Sequence, residues 1–320
     1  MKILVLLSRI IVAITFIFSG FVKLVDPLGS AYKFQEYFSA DVLNLEFLIP
    51  YALPFSIFLI LAEIMLGVLL LVGFKSKFTV WSLLIIITVF LFLTWYSAFY
   101  DKVTDCGCFG DAVKLSNWGT FYKNVILVLL ILILVIGYNH IKPIVSLNFS
   151  RWTSFLSLLV FLYIIYYVLV HLPIIDFRPY AIGKNIPEGM EYHEEEEPPI
   201  HDFFLESIDG EDLTYAVLNT DKVMLVISYN LNKSDKEGFT KIKDITDKAI
   251  VLGYTVYALS ASMNEDFIKI KKQNNLNFDM LFCDETTLKT IIRANPGVLI
   301  LNKGTVIDKR SYVDVDKINL

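Results

Sequence analysis

The sequence of 320 residues contains three cysteines, and two of them, Cys106 and Cys108, flank a single glycine, Gly107. A disulfide between cysteines this close in sequence closes a tight ring, and strain makes such a bond easier to reduce. Glycine supplies the backbone freedom that the ring requires. The spacing therefore favours a redox-active pair. Two alternatives remain open on spacing alone: a static disulfide that staples a loop, and one half of a metal site, although no further ligand lies nearby in sequence.

Charged residues inside long apolar segments are the second feature that could carry chemistry. Glu63 lies in the middle of the second such segment, and Arg9 lies in the first. Because burying a charge in a membrane is costly, each of them predicts either a functional site or a pairing partner. The simpler hypothesis is an Arg9–Glu63 pair that holds two helices together. The other is a proton-coupled or quinone-coupled site.

Further charged residues lie at the ends of the apolar segments. Lys123 begins the fourth segment near the cysteine loop, where its charge would favour the thiolate form of a cysteine if the two are close. Lys23 and Asp26 end the first segment, and we expect the Lys23 side chain to extend its charge toward the membrane surface. The residues predicted to carry chemistry are Cys106, Cys108, Glu63, Arg9 and Lys123.

The elements that must hold these residues are membrane helices. Hydrophobic residues make up 55% of the chain, and the mean hydropathy is +0.58. A helix needs ~20 apolar residues to cross a bilayer core, and the segments that qualify are residues 3–24, 50–74, 78–99, 121–138 and 152–173. A lipid bilayer is therefore the first predicted partner, and the net charge of −5 argues against nucleic acid. We expect the first segment to be retained rather than cleaved as a signal peptide, because Arg9 interrupts it and no clear cleavage motif follows.

The basic residues of the short loops predict the orientation of these spans. Loops that lie on one side of a five-span topology carry lysine or arginine without acidic residues, namely Lys2, Lys75, Lys77, Lys142 and Arg151. Such loops face the cytoplasm in most membrane proteins. The cysteine loop and everything after residue 173 would then lie outside the cytoplasm. We predict a multi-pass protein of a bacterial inner membrane with its C-terminal region on the periplasmic side, where disulfides are permitted.

The long first loop, residues 25–49, mixes aromatic and charged side chains, with Tyr32 and Tyr37 close to Lys33 and Glu36. This mixture is typical of a short helix that lies in the membrane interface. An ordered loop packed on the helical bundle is an equally good interpretation.

The last third of the chain has the pattern of a water-soluble α/β domain. Strand-like and helix-like segments alternate after residue 201 and end in a predicted hairpin that turns at Lys303 and Gly304, which indicates a mixed sheet. Residues 202–214 predict a strand, an Asp-Gly turn and a second strand. The predicted domains are an all-α transmembrane bundle over residues 1–140, a fifth membrane helix over 141–173, a linker over 174–200 that contains the acidic run 194–197, and the soluble domain over 201–320.

The membrane part resembles the DoxX-like superfamily of four-helix membrane proteins, and within it the MauE-type branch. The strings that carry the resemblance are "FSGFVKLVDP" at 18–27, "AEIMLGVLLLVGF" at 62–74 and "DCGCFGD" at 105–111. The resemblance implies that Cys106 and Cys108 are the cysteine motif of the family. It also implies a role in disulfide formation or maturation of an extracytoplasmic partner protein. Other DoxX relatives are associated with quinone-linked sulfur oxidation, which makes a membrane quinone the one cofactor that the resemblance suggests.

Residues 200–310 resemble the thioredoxin-like fold of the TlpA type, through "DFFLESIDGEDLT", "CDETTLK" and "NPGVLILNKGTVID". Pro296 matches the cis-proline that faces the active site in that fold. The catalytic cysteines of the fold should follow the strand that ends near Tyr229, but residues 230–233 are Asn, Leu, Asn and Lys. The domain therefore has no thiols for dithiol exchange, and Cys283 is predicted to be a buried core residue. The partner-binding groove that the resemblance suggests contains Pro296, Asn295, Tyr229 and Asn230.

Two functions from different classes follow from these observations. The first is a membrane redox protein whose Cys106 and Cys108 exchange electrons with a partner thiol or a lipid quinone, with no metal involved. The second is a non-enzymatic scaffold whose thioredoxin-like domain binds an envelope protein. Transport is disfavoured, because the predicted spans contain one buried acid and no internal repeat.

Overall fold

A computed structural model describes residues 1–103, 107, 110–113, 115–144, 146–192 and 198–320 of the chain. They divide into two compact units, residues Met1–Val168 and Leu169–Leu320. Within these described residues, five helical stretches are long and apolar enough to cross a membrane: Lys2–Val25, Glu46–Val72, Ser76–Tyr100, Asn117–Ile136 and Leu147–Val170. The predicted membrane spans and the α/β region that follows them are confirmed.

The N-terminal unit is built from helices around an apolar core. The helices are α1 (Lys2–Val25), α2 (Pro27–Phe38), α3 (Ala52–Val72), α4 (Ser76–Tyr100), α5 (Asn117–Ile136) and α6 (Leu147–Val170), the last of which ends at the boundary of the unit. Helix α1 packs on α3 and α5, and α4 packs on α3 and α5. Buried residues of these four helices, such as Val12, Leu70, Leu83 and Ile131, form one contiguous core. These helices are the predicted four-helix bundle.

Glycines allow α1 and α3 to approach closely. A Cβ atom on Gly20 would lie 2.8 Å from the Cβ of Ile64, and one on Gly67 would lie 2.8 Å from Cγ1 of Ile17. Small residues permit this kind of backbone contact between membrane helices, where van der Waals packing replaces the hydrophobic effect as the driving force. The contact fixes the C-terminal half of α1 against the middle of α3, where Lys23 and Glu63 lie.

Helix α2 occupies the first part of the loop that connects α1 with α3. It begins at Pro27, and the Asp26 side chain caps it by accepting a hydrogen bond from Gly29 N at 3.1 Å. The helix packs on α3, where Ser56 Oγ donates to the Pro27 carbonyl at 3.1 Å. The short helix is present and packs on the bundle, whereas its location in the membrane interface stays a prediction.

The C-terminal unit contains a five-stranded mixed sheet in the order β3-β2-β1-β4-β5. Its elements are α7 (Ile186–Met190), α8 (Thr214–Asn219), β1 (Val223–Ile227), α9 (Lys236–Val251), β2 (Thr255–Ser260), α10 (Asn264–Asn274), β3 (Asp279–Phe282), α11 (Glu285–Ile291), β4 (Gly297–Asn302) and β5 (Thr305–Ser311). Strands β1, β2 and β3 run parallel, while β4 is antiparallel to β1 and β5. Every residue of β1 is buried, because both faces of the sheet are covered by core side chains. The predicted mixed sheet and terminal hairpin are confirmed.

The predicted pair of strands over residues 202–214 is wrong in its extent. Glu206 forms isolated bridges with Asp212 and Phe282, and these bridges do not extend into a β-ladder in this segment. Asp212 Oδ1 accepts a hydrogen bond from Thr214 N at 2.9 Å, and Thr214 begins α8. This local side-chain-to-backbone hydrogen bond forms a turn that leads into a helix where the alternating pattern indicated a second strand. The predicted turn is present, with Gly210 at a φ of +82°.

The segment predicted as a linker, residues 174–200, differs from a solvated spacer in its described part. Tyr180 and Ile186 are buried in the core of the C-terminal unit, and Asn185 bridges Thr305 of β5. The compact unit begins at Leu169 rather than near residue 201. Proline content suggested a spacer, but the apolar side chains between the prolines supply core packing. The acidic run 194–197 lies outside the described residues.

Candidate functional site

An ion pair joins α1 to α3 inside the bundle. Lys23 Nζ lies 2.8 Å from Glu63 Oε1 and 2.9 Å from Oε2, and the two side chains are 8% and 0% exposed. Ser19 Oγ accepts from Lys23 Nζ at 3.2 Å and donates to Glu63 Oε2 at 3.3 Å. The ring of Phe90 lies 5.0 Å from the same ammonium. Pairing and hydrogen bonding are what make two buried charges tolerable in an apolar bundle.

The predicted Arg9–Glu63 pair is wrong, because Lys23 occupies that role. The Arg9 guanidinium instead donates to the carbonyls of Leu70 (2.9 Å), Leu71 (2.8 Å) and Lys142 (3.1 Å). The last carbonyls of a helix lack partners within it, and they carry partial negative charge that attracts a cation. Arg9 thus binds the C-terminal end of α3, far along the helix from Glu63. The expectation that Lys23 extends to the membrane surface is also wrong, since its side chain is buried with Glu63.

A cavity of about 50 Å³ lies between α1, α2, α3 and α4. This volume exceeds the ~10–15 Å³ that one water molecule requires. Its polar lining residues are Lys23, Ser30, Lys33, Tyr37, Ser56 and Thr94, and Gly107 also lines it. No carboxylate is among the lining residues that the structure describes. Glu63 binds Lys23 but does not itself line the cavity. The lining charges that are described are therefore both positive.

The central residue of the Cys-Gly-Cys string lies at this cavity. Gly107 has a φ of +62°, in the left-handed region that favours glycine. A Cβ atom on Gly107 would lie 3.1 Å from Cγ of Lys33 on α2. The structure thus brings together Gly107, Lys33 and the Lys23–Glu63 pair. Cys106 and Cys108 lie outside the described residues, so the redox, staple and metal interpretations of that pair stay predictions.

Two residues of this site were missed as site residues by sequence reasoning. Lys23 could have been found from the rule that a buried carboxylate needs a cation, since the sequence offered Lys23 as well as Arg9. Lys33 carried no such signal, because its position depends on how α2 folds back onto α3. Lys123, which was predicted to act on the thiols, lies half-buried on α5 and is not among the described lining residues. Its effect on the thiols stays a prediction.

In the C-terminal unit, the end of β1 is tied to the loop that precedes β4. Ser228 Oγ donates to Asn295 Oδ1 at 2.9 Å, and Asn295 Nδ2 donates to the Asn230 carbonyl at 2.9 Å. The Asn295–Pro296 peptide is cis, as the resemblance predicts. These bonds bring Asn295, Pro296, Tyr229 and Asn230 together, as the predicted groove requires.

The proline of this predicted groove is covered. Pro296 is buried, and a Cβ atom on Gly238 at the start of α9 would lie 2.8 Å from its ring. Asn295, Tyr229 and Asn230 remain half-buried at the surface of the unit. The Tyr229 ring has the ammonium of Lys289 at 5.9 Å from its centroid. A partner at this site would therefore contact the half-buried residues rather than the proline ring.

The C-terminal unit contains one thiol, and it is inaccessible. Cys283 is 0% exposed, which confirms its prediction as a core residue. Burial raises the pKa of its thiol to about 12, and the charge of Asp284 adds to the effect. A thiolate at this position would be both rare and shielded. Thiol exchange in this unit is therefore disfavoured by its chemistry as well as by residues 230–233.

A buried charge network that the sequence did not reveal fixes the start of the C-terminal unit. Asp176 accepts hydrogen bonds from Arg178 Nε at 2.7 Å and Nη2 at 2.9 Å, and it pairs with Lys309 on β5. Lys309 Nζ also donates to the carbonyls of Tyr180 at 2.8 Å and Ile291 at 2.9 Å. Although burial raises the pKa of Asp176, the charges and hydrogen bonds of Arg178 and Lys309 outweigh it and lower the pKa to about 2. The network holds the chain against the sheet.

Comparison with known proteins bears on the two units separately. Residues 1–137 match the family model described as Methylamine utilisation protein MauE. Over this range, which is less than half of the chain, the protein is similar to the MauE family. No curated protein sequence matches the chain. The site residues Lys23, Lys33, Glu63 and Gly107 all lie within the MauE match.

Solved structures that the chain is similar to are thioredoxin-like. A thiol:disulfide interchange protein from Bacteroides sp. is 14% identical, with 36% of this chain and 84% of that chain covered and a TM-score of 0.29. The thioredoxin domain of a thiol-disulfide oxidoreductase from Bacteroides vulgatus is 17% identical, with 43% and 96% covered and a TM-score of 0.31. A thioredoxin-like protein from Bacteroides caccae is 14% identical, with 89% and 90% covered and a TM-score of 0.31. The MauE match and the apolar helices described above support a multi-pass membrane protein.

Proposed function

We propose that the protein performs thiol–disulfide exchange at the outer face of a bacterial inner membrane, through Cys106 and Cys108. The observation that carries this proposal is the position of Gly107. The residue between the two cysteines has a left-handed backbone and lines a cavity within the helical bundle. A loop that merely connects two spans needs no such placement. A cavity beside the residue that separates the two cysteines in sequence is what we expect of a site that acts on a partner at the membrane surface.

In the proposed step, a thiolate of an extracytoplasmic partner attacks the Cys106–Cys108 disulfide. A mixed disulfide forms as that bond breaks, and the second thiolate of the partner then displaces the cysteine. The partner gains a disulfide, and Cys106 and Cys108 become thiols after taking up two electrons and two protons. A membrane quinone is the proposed oxidant that restores the disulfide, by accepting two electrons and two protons to become a quinol.

The proposed role of the C-terminal unit is to bind the partner rather than to react with it. Its residues 230–233 carry no thiol, and Cys283 is buried. The half-buried surface formed by Tyr229, Asn230 and Asn295 is the proposed contact. The basic loops between the spans support placing this unit on the periplasmic side.

A second candidate function is a scaffold in which the cysteines play no redox part. The lack of a thiol at residues 230–233 favours it, since the thioredoxin-like unit then has no exchangeable thiol of its own. The bundle would then anchor a docking domain. The two candidates differ in whether the cysteine pair is needed.

Redox titration of the full-length protein in lipid nanodiscs tests the proposal. The protein is equilibrated at potentials from about −300 to −100 mV, the range of known redox proteins, and free thiols are then counted by maleimide mass-tagging. We expect one reversible loss of two thiols, absent from Cys106→Ser and Cys108→Ser and unchanged in the matched control Cys283→Ala. If the two thiols stay free at every potential, the redox proposal is overturned. Full activity toward the partner in the Cys106→Ser/Cys108→Ser double variant would favour the scaffold.

A further inference from the structure

We propose that the turn between α3 and α4 binds an anionic phospholipid, with the headgroup at Lys75 and Lys77 and an acyl chain along α4. This site is separate from the cysteine string and from the cavity that Gly107 lines. Its test therefore does not depend on thiol–disulfide exchange.

A groove of about 710 Å³ opens at this turn. Helix α3 ends at Val72 and α4 begins at Ser76, so three residues connect two membrane-spanning helices. A turn this short lies where both helices leave the apolar layer of the bilayer, close to the lipid headgroups. The volume of the groove is within the ~300–1,000 Å³ that ligand sites in proteins occupy.

The polar lining of the groove is cationic. Lys75 and Lys77 line it together with the hydroxyl-bearing Ser76 and Ser82, and no carboxylate is among the lining residues that the structure describes. The ammonium of Lys75 lies 5.8 Å from the ring centroid of Phe74, a contact that leaves its charge in place. Ammonium and hydroxyl donors of this kind recognise a phosphate group.

Acidic residues that could neutralise these lysines are distant. No acidic residue occurs in the sequence between Glu63 and Asp101. Glu63 is already paired inside the bundle, and Asp101 follows the opposite end of α4. The connection between α5 and α6 reaches this turn, where Ile144 N donates to the Val72 carbonyl at 3.1 Å, and residues 137–146 contain no acid. This end of the bundle therefore attracts an anion from outside the chain.

The two lysines are also not required at the C-terminal end of α3, whose carbonyls carry partial negative charge. Arg9 already donates to the carbonyls of Leu70 and Leu71, at 2.9 and 2.8 Å. Gly73 N donates to the Leu69 carbonyl at 2.9 Å. Because these donors satisfy the end of the helix, the lysine charges remain available to a ligand in the groove.

The apolar lining of the groove continues along α4. Phe78, Trp81 and Ile85 line the groove, and their spacing of three and four residues places them on one face of the helix. They are 61%, 49% and 65% exposed, and Val89 and Phe92 extend the exposed face. At ~1.5 Å per residue, this face is ~21 Å long, which exceeds the ~15 Å depth of the apolar layer of one leaflet. An acyl chain can therefore follow it to its end.

A phospholipid is the ligand that uses both parts of this surface. A free anion would contact the lysines and leave the apolar face unused, whereas a second copy of the chain that packed on the apolar face would leave the lysines without a counter-charge. In a phospholipid, the phosphate and the acyl chains are joined in one molecule. A lysine near an anionic headgroup strengthens binding about fivefold.

Trp81 provides a local probe for the test. The full-length variant Trp95→Phe/Trp118→Phe/Trp152→Phe retains Trp81 as its single tryptophan. It is reconstituted in vesicles of brominated dioleoylphosphatidylcholine, whose bromine atoms quench tryptophan fluorescence on contact. Increasing fractions of unbrominated dioleoylphosphatidylglycerol or dioleoylphosphatidylcholine then displace the quencher, and the recovery of fluorescence gives the relative affinity of the groove for each headgroup. We expect phosphatidylglycerol to be preferred about five- to twenty-fivefold, because two lysines contribute.

Matched variants distinguish this site from a general attraction of the basic loops. Lys75→Gln/Lys77→Gln should reduce the preference to roughly one- to twofold, and Lys75→Arg/Lys77→Arg should retain it because the charges remain. The control Lys142→Gln/Arg151→Gln removes the same net charge from exposed residues outside the described lining of the groove. This control should keep most of the preference.

Three results would overturn the proposal. The first is the absence of a preference for phosphatidylglycerol, or an unchanged preference in Lys75→Gln/Lys77→Gln. The second is an equal loss in the control Lys142→Gln/Arg151→Gln, which would show that the net charge matters rather than the groove. The third is a failure of brominated lipid to quench Trp81, which would show that another protein segment or a second copy of the chain covers this face of α4.

Discussion

Lys23 Nζ and Glu63 Oε1 lie 2.8 Å apart in the helical bundle, with the two side chains 8% and 0% exposed. The pair joins the last turn of α1 to the middle of α3. Only one of the two charged residues borders the cavity, since Lys23 lines the cavity and Glu63 does not. The ion pair therefore holds the two helices together and also places a positive charge at the cavity that Gly107 lines.

Removing Lys23 alone should destabilise the protein strongly. In Lys23→Met the Glu63 carboxylate would be left buried without its cation, a change that typically costs about 3–5 kcal/mol. Thermal unfolding of the purified protein in detergent should show a clearly lower midpoint than wild type. By contrast, the pair between Lys33 and Glu36 is partly exposed, and such a pair contributes only ~0–1 kcal/mol.

A second substitution should rescue the first. Lys23→Met/Glu63→Leu replaces the ion pair by apolar side chains, and such replacements are often neutral or stabilising by ~1–4 kcal/mol. The double variant should therefore unfold at a higher temperature than Lys23→Met alone. A double variant as unstable as the single one would show that Lys23 acts through something other than Glu63.

The sequence was informative about the helices because their apolar segments are long. The start and end of each span came within a few residues of the structure, since a bilayer demands ~20 apolar residues whatever the tertiary packing. The mixed sheet of the C-terminal unit followed from strand–helix alternation and the terminal hairpin, whereas its strand order was not predicted. By contrast, the partner of Glu63 could not be decided from sequence, because depth along two helices does not fix their relative rotation.

The contact between Lys33 and Gly107 was beyond sequence reasoning for a related reason. It depends on α2 turning back at Pro27 and packing on α3, a tertiary arrangement that amphipathic patterning does not specify. The burial of Asp176 and Arg178 was missed because a proline-rich segment is usually a spacer. Both cases show that charged residues with partners distant in sequence are the least predictable part of a site.

Arg9 should contribute to stability through the end of α3. Its guanidinium binds the carbonyls of Leu70 and Leu71 and reaches that of Lys142. Hydrogen bonds from a charged donor contribute about 1.5–3 kcal/mol each, so Arg9→Gln should lose at least ~2 kcal/mol of unfolding free energy, measured by denaturation in detergent. Arg9→Lys should lose less, because a cation remains at the helix C-terminus. The exposed Arg151 provides the control, and Arg151→Gln should change little.

Cys283 should be inert in the folded protein. Burial raises the pKa of its thiol to about 12, so at pH 8 only about one molecule in ten thousand would carry the thiolate. Mass spectrometry after iodoacetamide treatment should find Cys283 modified only when denaturant is present. Modification of the native protein at the rate of an ordinary exposed cysteine would contradict the buried position.

The acid stability of the C-terminal unit should depend on Asp176. The pKa of its carboxyl is about 2 in the folded protein, against 3.8 for a free aspartate. A carboxyl with a lowered folded pKa contributes stability above pH 3.8, and this contribution disappears as the pH falls to about 2. We expect a loss of about 2 kcal/mol over this interval. Pulse proteolysis with pepsin in urea, followed with an antibody to the C-terminal unit, measures the loss at the pH where pepsin is active.

The variant Asp176→Asn distinguishes this carboxyl from the other acidic residues of the unit. It should be less stable than wild type at pH 4, because Arg178 and Lys309 lose their counter-charge, and its stability should then change less between pH 4 and pH 2. The exposed Asp244 is the matched control, and Asp244→Asn should follow the wild-type curve. An equal decline in wild type and Asp176→Asn would show that the Asp176 network does not govern acid unfolding, and that the lowered pKa of Asp176 has no energetic consequence for the fold.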